Sequence, residues 1–481
     1  MHHKAFGDWP PAGYVYLVSL TEAVLGLKEI SVRLPAAIIG STSILLIYLF
    51  SLNLFRNRKD KKIISLMSAF FLAILPWHII LSRSSSEDIV ANFLVLLGLL
   101  FLVKEKRNYW LAFLSFILSF YFYFSSRIIV VLVLMGFLMF RRENQTKKRL
   151  LFSFLIIIII CLSFITFIGK NTRFNSVSIF GSLENKLVVE EQIREDGSLK
   201  ISPMIARLFH NKPIRISKAF LNEYSKYFNL NFLILEGGLP ERYLVPDSGL
   251  ILSVGFIFMI LGIIFALRNF KYFYNRILLW LLIIVPVAGA MTWENSPNIR
   301  RVSFWIFVIV LLQSIGFVFL MSILKRKKWL LLLIMPLIFE LFLFFHQATV
   351  HVKVHMPWYR NIGYQEMINY LNQVEDNYSN IYVSEFDGDP YIFFLFYNKI
   401  DPSKYQELSK NKPARLAGEN DKKRWELEKY IFLRDHCPMV KEKSALIIGQ
   451  GDCKLEPGFT VLKKFYRTDN SLVFLLYYYD K

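Results

Sequence analysis

The sequence predicts a polytopic α-helical membrane protein of about ten transmembrane helices, followed by a C-terminal extracytoplasmic α/β domain. Of the 481 residues, 54% are hydrophobic and only 20% are charged, and the mean hydropathy is +0.40. The apolar residues form runs of about twenty, long enough to cross a bilayer, and short basic clusters separate the runs. From residue 350 onward the runs stop and the composition becomes that of a soluble domain.

The basic clusters indicate how the chain crosses the membrane. The formal net charge is +20, and five clusters with 20 basic and 3 acidic residues carry +17 of it. Residues 350–481 are nearly neutral, with 19 basic and 18 acidic side chains. Lysine and arginine concentrate in the cytoplasmic loops of membrane proteins. The positive charge therefore indicates the membrane topology of the chain and does not indicate a nucleic-acid partner. The clusters are Arg56–Lys62, Lys104–Arg107, Arg141–Arg149, Arg268–Arg276 and Lys325–Lys328.

Ten predicted spans place all five clusters in the cytoplasm and both termini outside, in a multi-pass protein of the cell membrane. The spans are expected at 34–55, 63–82, 88–103, 109–125, 127–140, 150–169, 249–267, 277–293, 302–324 and 329–348. The connections expected outside are 83–87, 125–127, 170–248, 294–301 and 349–481.

Residues 1–33 are predicted to be an extracytoplasmic juxtamembrane segment that leads into a transmembrane domain of residues 34–348. The segment lacks the basic start, apolar stretch and small-residue cleavage site of a signal peptide. Val15–Leu27 is mildly amphipathic, and this pattern predicts a helix at the membrane interface.

Two of the predicted outer segments are long enough to hold structure of their own. In the large outer loop 170–248 we expect an amphipathic helix over Met204–Phe228, interrupted at Pro213. Residues 349–481 are expected to fold as a small α/β domain with its own core. Its predicted elements are a helix at Ile362–Val374 and strands at 381–384, 445–449, 460–465 and 472–478.

The three cysteines are too few for a disulfide framework and show no metal-ligand spacing. Cys161 lies in an apolar run and is predicted to be a packing residue. Cys437 and Cys453 can pair in an oxidising compartment, and the sequence leaves that question open.

Ionisable side chains concentrate around the first predicted outer turn. His78, Arg83, Glu87 and Asp88 fall within eleven residues between two apolar runs. Such groups lose hydration at the membrane surface, so they indicate a functional site. The alternative is an ion pair of Arg83 with one of the two acids that merely caps the helices, and the stretch alone does not decide between these interpretations.

Five segments occur in order along residues 5–320: Phe6–Tyr16, Leu25–Pro35, Pro76–Asp88, Phe120–Arg127 and Phe232–Gly249. In this order, and on the predicted outer face, they resemble the GT-C membrane glycosyltransferases. The resemblance is to the branch of the protein O-mannosyltransferases and the lipid A aminoarabinose transferases. It implies an enzyme that takes a sugar from a polyprenyl-phosphate donor and passes it, with inversion, to a protein, lipid or glycan acceptor at the outer face.

This chemistry needs a carboxylate to accept the proton of the acceptor hydroxyl, and positive charge or a metal to stabilise the departing phosphate. Guanidinium groups bind phosphate through paired hydrogen bonds. The predicted phosphate partners are the outer-facing arginines, with lipid headgroups as the alternative partner for each of them. These residues are Arg83, Arg127, Arg242, Arg300 and Arg301.

The resemblance also implies substrate-side roles for acidic residues. Asp8 matches the acid of the family's proline-bearing segment, and His78 is a further candidate for substrate binding or for a structural hydrogen bond. Glu87 and Asp88 match an acid linked to metal or donor positioning, so a divalent cation such as Mg²⁺ or Mn²⁺ is a candidate cofactor. Capping of the next helix by these two carboxylates is the equal alternative.

One element of the family pattern is missing from these residues. The family's catalytic aspartate is expected in an outer loop upstream of the proline-bearing segment, and here that segment follows Met1 almost directly. We expect about 60 to 100 further residues to be encoded upstream, comprising one span of about twenty and a loop with an Asp–Glu pair. If this chain transfers sugar without them, the base must be Asp8, Glu87 or Asp88.

Two other functions remain as alternatives. A transporter or flippase of lipid-linked sugars is expected to have inverted halves and charge at the bilayer midplane, where Glu340 is the candidate acid. An N-terminally truncated, non-catalytic relative would bind the lipid-linked sugar without cleaving it. Release of sugar from a polyprenyl-phosphate donor distinguishes the enzyme from both.

Overall fold

The computed structural model describes residues 11–141, 156–157, 177–324, 331–385, 388–408 and 425–480. The chain divides into two compact units, Met1–Ala348 and Thr349–Lys481. The first unit is mostly helical, and the second contains a six-stranded sheet.

Apolar α-helices form the framework of the first unit. Their leucine, isoleucine and phenylalanine side chains bury one another in a large hydrophobic core. The predicted helical class of this unit is therefore confirmed. The helices are α1 (Gly13–Leu25), α2 (Glu29–Leu54), α3 (Lys61–Ile74), α4 (Pro76–Arg83), α5 (Glu87–Val103), α6 (Tyr109–Ser119), α7 (Ser125–Phe140), α8 (Leu183–Ser198), α9 (Pro203–Phe209), α10 (Lys212–Lys226), α11 (Ser253–Arg268), α12 (Phe273–Ile284), α13 (Val287–Ala290), α14 (Trp305–Ile323) and α15 (Leu331–His346).

The predicted span at 63–82 is broken into two helices, α3 and α4. Leu75 is extended, and Pro76 begins α4 because proline lacks an N–H and fits the first turn of a helix. The two helices are bent by 57° at this break. The predicted span at 63–82 is therefore bent at Pro76, and the bent pair stays a candidate to cross the membrane.

The turn between α6 and α7 covers residues 120–124, whereas the sequence predicts 125–127. The hydroxyl of Ser126 donates to the carbonyl oxygens of Tyr123 at 2.6 Å and of Ser119 at 3.0 Å. These bonds satisfy carbonyl groups that the turn removes from helical pairing. The aromatic residues 120–124 are as apolar as the helices on either side of them. Hydropathy therefore gives no sign of a turn at these residues, and the predicted turn lies too far along the chain.

Four of the described helical segments are long and apolar enough to cross a bilayer, and the bent pair of α3 and α4 is a fifth candidate. The four are Glu29–Leu54, Phe273–Ala290, Trp305–Ile323 and Leu331–Val354. α1, α6, α7 and α11 are shorter apolar helices. The predicted span at 150–169 lies outside the described residues except for 156–157. These features indicate a membrane protein, and the number of ten spans stays a prediction.

Two glycines allow α11 and α14 to pack backbone against backbone. A Cβ atom on Gly262 would lie 1.9 Å from the carbonyl oxygen of Leu312, and one on Gly316 would lie 1.8 Å from that of Phe258. Only glycine permits this approach, as is common at helix contacts in membranes. The contact fixes α14 in the core, and with it the segment 291–304 that leads into α14.

The described part of the predicted outer loop 170–248 holds three α-helices, α8, α9 and α10. α8 was not predicted from the sequence. The expected helix at Met204–Phe228 is interrupted as predicted, but Pro213 lies in the first turn of α10 instead of ending a helix. Asn211 caps α10 by accepting a hydrogen bond from the backbone N–H of Ile214 at 3.0 Å.

The second unit has a mixed sheet with the strand order β2-β3-β1-β4-β6-β5. β1 pairs in parallel with β3 and β4, and the other pairs are antiparallel. The predicted helix and four predicted strands are present, whereas β2 and β3 were missed because such short strands give little periodicity. The elements are α16 (Tyr364–Val374), β1 (Asn380–Ser384), α17 (Tyr391–Tyr397), α18 (Pro402–Leu408), β2 (Trp425–Leu427), β3 (Tyr430–Leu433), β4 (Ala445–Gln450), β5 (Phe459–Tyr466) and β6 (Leu472–Tyr479).

Cys437 and Cys453 form a disulfide in the second unit. If this unit lies outside the cytoplasm, the bond persists because the compartment is oxidising. We expect maleimide to label only Cys161 in denatured protein from membranes prepared without reductant, and all three cysteines after reduction. Mass spectrometry of the intact protein counts the labels. Three labels before reduction would contradict both the bond and the outer location.

The membrane topology is open to a direct reporter test. A reporter enzyme fused after Lys328 is expected to be active in the cytoplasm, and one fused after Lys481 outside it. The expectation rests on the positive charge of the five predicted cytoplasmic loops. A cytoplasmic signal from the second fusion would reverse the orientation and remove Arg83 from the outer face.

Candidate functional site

The candidate site lies where the first turn of α5 meets the segment 291–304. Ser84 and Ser86 shape the turn from α4 into α5, since their hydroxyl oxygens lie 2.8 Å apart in a hydrogen bond. Glu87 and Asp88 then begin α5, where the helix dipole favours negative charge. Local sequence thus places two carboxylates side by side at the helix start.

Arg300 contacts both carboxylates at once. Its Nη2 lies 2.7 Å from Oε2 of Glu87, and its Nε donates to Oδ1 of Asp88 at 2.8 Å. The side chain of Asp88 is 0% exposed and that of Arg300 is 13% exposed. Burial alone would lower the pKa of Arg300, but neighbouring groups, with Glu87 first among them, raise this pKa well above its usual range. The guanidinium therefore stays charged between the two carboxylates.

Two tyrosine rings flank the Arg300 guanidinium. Its central carbon lies 5.2 Å from the ring centre of Tyr123 and 5.8 Å from that of Tyr243. Aromatic faces attract a cation and keep water from it. We call Glu87, Asp88, Arg300, Tyr123 and Tyr243 the outer-turn cluster. The sequence contains 24 tyrosines and gave no signal that singled out these two.

Asn298 and Tyr227 hold the backbone that carries Arg300. Oδ1 of Asn298 accepts hydrogen bonds from the backbone N–H groups of Arg300 at 3.0 Å and Arg301 at 3.2 Å. The backbone N–H of Asn298 in turn donates to the hydroxyl oxygen of buried Tyr227 at 3.1 Å. Both side chains therefore position the cluster without belonging to it.

Two further bonds tie the same segment to α5 and α4. Asn92 donates to the hydroxyl oxygen of Ser303 at 2.7 Å, and this hydroxyl donates to the carbonyl oxygen of Arg300 at 2.7 Å. The indole N–H of Trp77 in α4 donates to the carbonyl oxygen of Ile299 at 3.2 Å. These buried bonds fix the segment against the helices that flank the outer turn.

Arg301 is engaged by a separate set of partners. Its Nη1 donates to Oγ1 of Thr292 and to the carbonyl oxygen of Glu294, both at 2.6 Å. Its Nη2 lies 3.6 Å from the Glu294 carboxylate. Arg300 and Arg301, both predicted phosphate partners, thus contact protein groups that a phosphate would have to displace.

Arg83 and Arg242 are the exposed arginines among the predicted site residues. Within the described residues Arg83 has neither an ion pair nor a hydrogen bond from its side chain. Arg242 contacts the ring of Tyr243, with its central carbon 5.2 Å from the ring centre. These two guanidinium groups are accessible to a phosphate.

The remaining predicted site residues are less accessible. Arg127 is half-buried, donates to the carbonyl oxygen of Phe120 at 3.4 Å and lies 4.8 Å from the ring centre of Phe124. His78 is buried within α4. Asp8 lies outside the described residues. Among the described site residues, the structure thus brings Glu87, Asp88 and Arg300 together, and Arg242 contacts Tyr243 of the same cluster.

Glu87 and Asp88 do not fit a divalent cation in this arrangement. Arg300 binds one oxygen of each carboxylate, so a cation between them would meet the positive guanidinium. Across the described ranges, one group of three possible His, Cys or carboxylate ligands occurs, around Cys437 and Cys453, and these two cysteines are bonded to each other.

Comparison with known proteins supports the resemblance seen in the sequence. Residues 8–167 match the model of the dolichyl-phosphate-mannose-protein mannosyltransferase family. The resemblance to the GT-C glycosyltransferases of this branch is thereby confirmed, and the matched residues include Arg83, Glu87 and Asp88. A search of curated proteins finds no significant match.

Two crystal structures are similar to the chain at low identity. One is the oligosaccharyltransferase of Archaeoglobus fulgidus in complex with zinc and sulfate, which is 15% identical with a TM-score of 0.48. This match covers 85% of the present chain and 51% of the oligosaccharyltransferase, so the chain spans about half the length of that relative. The other is ArnT from Cupriavidus metallidurans in the apo state, 10% identical with a TM-score of 0.37, covering 97% of this chain and 87% of ArnT.

Proposed function

We propose that this chain is a glycosyltransferase that moves a sugar from a polyprenyl-phosphate donor to an acceptor at the outer face of the cell membrane. The observation that carries the proposal is the match of residues 8–167 to a family described by its dolichyl-phosphate-mannose donor. Dolichol is a polyprenol, so this description names the proposed donor class. The outer-turn cluster lies partly within the matched residues.

The outer-turn cluster supports a division of roles among the arginines. A departing polyprenyl phosphate carries negative charge that guanidinium groups stabilise. Arg300 is already paired with Glu87 and Asp88, so we assign it to positioning. Arg83 and Arg242, which are exposed, are the proposed phosphate ligands. Inversion at the sugar carbon requires the acceptor hydroxyl to attack opposite this phosphate.

The acceptor hydroxyl must also lose its proton to a base. Asp88 is fully buried, and Oδ1 of Asp88 and Oε2 of Glu87 are both paired with Arg300, so protonating either carboxylate would weaken the ion pairs that hold this guanidinium. We therefore assign no catalytic base within the residues that the structure describes. These two carboxylates act in the proposal by holding Arg300 in place between the tyrosines.

The test is turnover of a defined donor by the full chain in membrane vesicles. Vesicles are incubated with radiolabelled mannosyl, glucosyl and N-acetylglucosaminyl polyprenyl phosphates, and the released polyprenyl phosphate is separated by thin-layer chromatography. We expect release above that of vesicles without the protein. Binding of the donor without release would instead indicate a non-catalytic relative. Transfer of intact donor between leaflets, again without release, would indicate a flippase.

The same assay tests whether the reaction needs a divalent cation. Because the Arg300 guanidinium already occupies one oxygen of each carboxylate, we expect release to survive EDTA at millimolar concentration. Loss of release with EDTA and its recovery with Mn²⁺ or Mg²⁺ would mean that the reaction uses a cation. Glu87 and Asp88 would then again be candidate ligands for it.

A further inference from the structure

A separate pocket lies outside the outer-turn cluster. This pocket of about 300 Å³ opens between α8, α10 and Trp293 and shares no residue with the cluster. This volume is at the lower end of the usual range for ligand pockets, about 300–1,000 Å³. Its polar lining comes from Ser182, Glu184, Asn185, Arg215, Lys218, Asn222 and Glu223.

The polar wall of the pocket is held rigidly. Nδ2 of Asn185 in α8 donates to the carbonyl oxygen of Ile179 at 3.0 Å. Oδ1 of the same amide accepts from Nε of Arg215 in α10 at 2.9 Å. The two helices are thereby joined through the side chains that line the pocket, so their polar atoms are placed before a ligand arrives.

Trp293 supplies an apolar wall. Its backbone N–H donates to the carbonyl oxygen of Val177 at 3.0 Å, which fixes the chain, while 48% of the residue remains exposed. An indole ring offers a broad flat apolar face. Such a face suits the C–H side of a pyranose ring, whose hydroxyl groups then reach the amides and the guanidinium around it.

The lining carries charges of both signs. Arg215 and Lys218 lie around the pocket with Glu184 and Glu223. Glu223 is buried and accepts from Nζ of Lys226 at 2.8 Å with each of its oxygens. A phosphate here would meet the carboxylate of Glu184 as well as the two cations. A neutral ligand rich in hydroxyl groups meets an aromatic face, amides and hydrogen-bond partners of both signs, so this class of ligand fits the lining.

We propose that this pocket binds a neutral sugar unit of a saccharide acceptor. The inference rests on the proposed glycosyltransferase function and names its acceptor class. The geometry links the pocket to the outer-turn cluster through one short segment. Thr292 and Glu294, on either side of Trp293, both bind Arg301, the neighbour of Arg300. A sugar on Trp293 therefore lies against the segment that carries both arginines.

The test measures saccharide binding directly, without turnover. Saturation-transfer NMR is recorded on the full chain in nanodiscs with methyl glycosides of mannose, glucose, galactose and N-acetylglucosamine and with their disaccharides. We expect at least one of them to receive saturation. Trp293→Ala should weaken this binding at least tenfold, and Trp293→Phe should retain most of it because a ring remains. Trp358→Ala is the matched control, since Trp358 is also 48% exposed and belongs to the other unit.

Three results would overturn the inference. These are no saturation of any glycoside, equal binding by Trp293→Ala and the native chain, and displacement of the glycoside by inorganic phosphate. Equal binding would leave Trp293 as an anchor in the membrane interface. Donor release is measured on the same preparation, so that failure of the pocket proposal can be distinguished from failure of the transferase proposal. Release without glycoside binding refutes the pocket alone, and glycoside binding without release refutes the transferase alone.

Discussion

Arg300→Ala is expected to destabilise the protein more than any other single change at the outer-turn cluster. The substitution leaves Asp88, whose side chain is 0% exposed, and Glu87 without their common partner. Removing one member of a buried ion pair costs about 3–5 kcal/mol, because the remaining charge stays desolvated. We expect a lower midpoint of thermal unfolding in detergent and less folded protein in the membrane.

Arg301→Ala is the matched control for this change. Arg301 is adjacent and has the same exposed fraction of 13%, but its carboxylate partner Glu294 is 37% exposed and 3.6 Å away. Its loss should therefore lower the unfolding midpoint less. Arg300→Ala with an unchanged midpoint would show that the buried ion pairs contribute nothing to stability.

A charge-free triple variant separates stability from activity. Arg300→Met combined with Glu87→Gln and Asp88→Asn removes the guanidinium and both carboxylates together. Replacing a whole buried ion network by neutral groups is often tolerated, so the unfolding midpoint should recover toward the native value. If donor release does not recover with it, the charges of the cluster serve the reaction as well as the fold.

Much of the fold could be predicted because it depends on hydrophobic periodicity and on the turns and prolines that interrupt it. Runs of apolar residues located the helices of the first unit, and alternating β-branched residues located four strands of the second. The errors have local physical causes. The aromatic turn at 120–124 is held by the hydroxyl of Ser126, and Pro76 divides one apolar run into two helices.

The candidate site could be predicted only in part, because its partners are distant in sequence. Local spacing marked Glu87 and Asp88 and suggested Arg83 as the arginine that pairs with them. The structure instead pairs them with Arg300, which is 212 residues from Asp88 along the chain. No periodicity encodes such a contact, since it depends on how α14 packs in the core. The role of Tyr123 beside this guanidinium is equally a product of tertiary packing.

Because Arg300 is paired with Glu87 and Asp88, Arg83 is the arginine whose replacement should have the largest effect on the reaction itself. Arg83→Ala should lower kcat for donor release by about 10²–10³-fold, the usual effect of removing one group that stabilises developing negative charge. Arg83→Lys should lose most of the same activity, because lysine keeps the charge but cannot form paired hydrogen bonds to phosphate. Both variants should unfold at the native midpoint, since the Arg83 side chain is exposed.

Arg207→Lys and Arg207→Ala are the matched controls, because Arg207 in α9 is also exposed and belongs to no predicted site. They should leave donor release at the native level. A drop in kcat with unchanged KM for the donor would assign Arg83 to the transition state, whereas a rise in KM alone would assign it to donor binding. Full activity of both Arg83 variants would reduce the outer turn to a helix cap. The phosphate would then have to be held elsewhere, with Arg242 the next guanidinium to replace, because Arg300 and Arg301 are already engaged by protein groups.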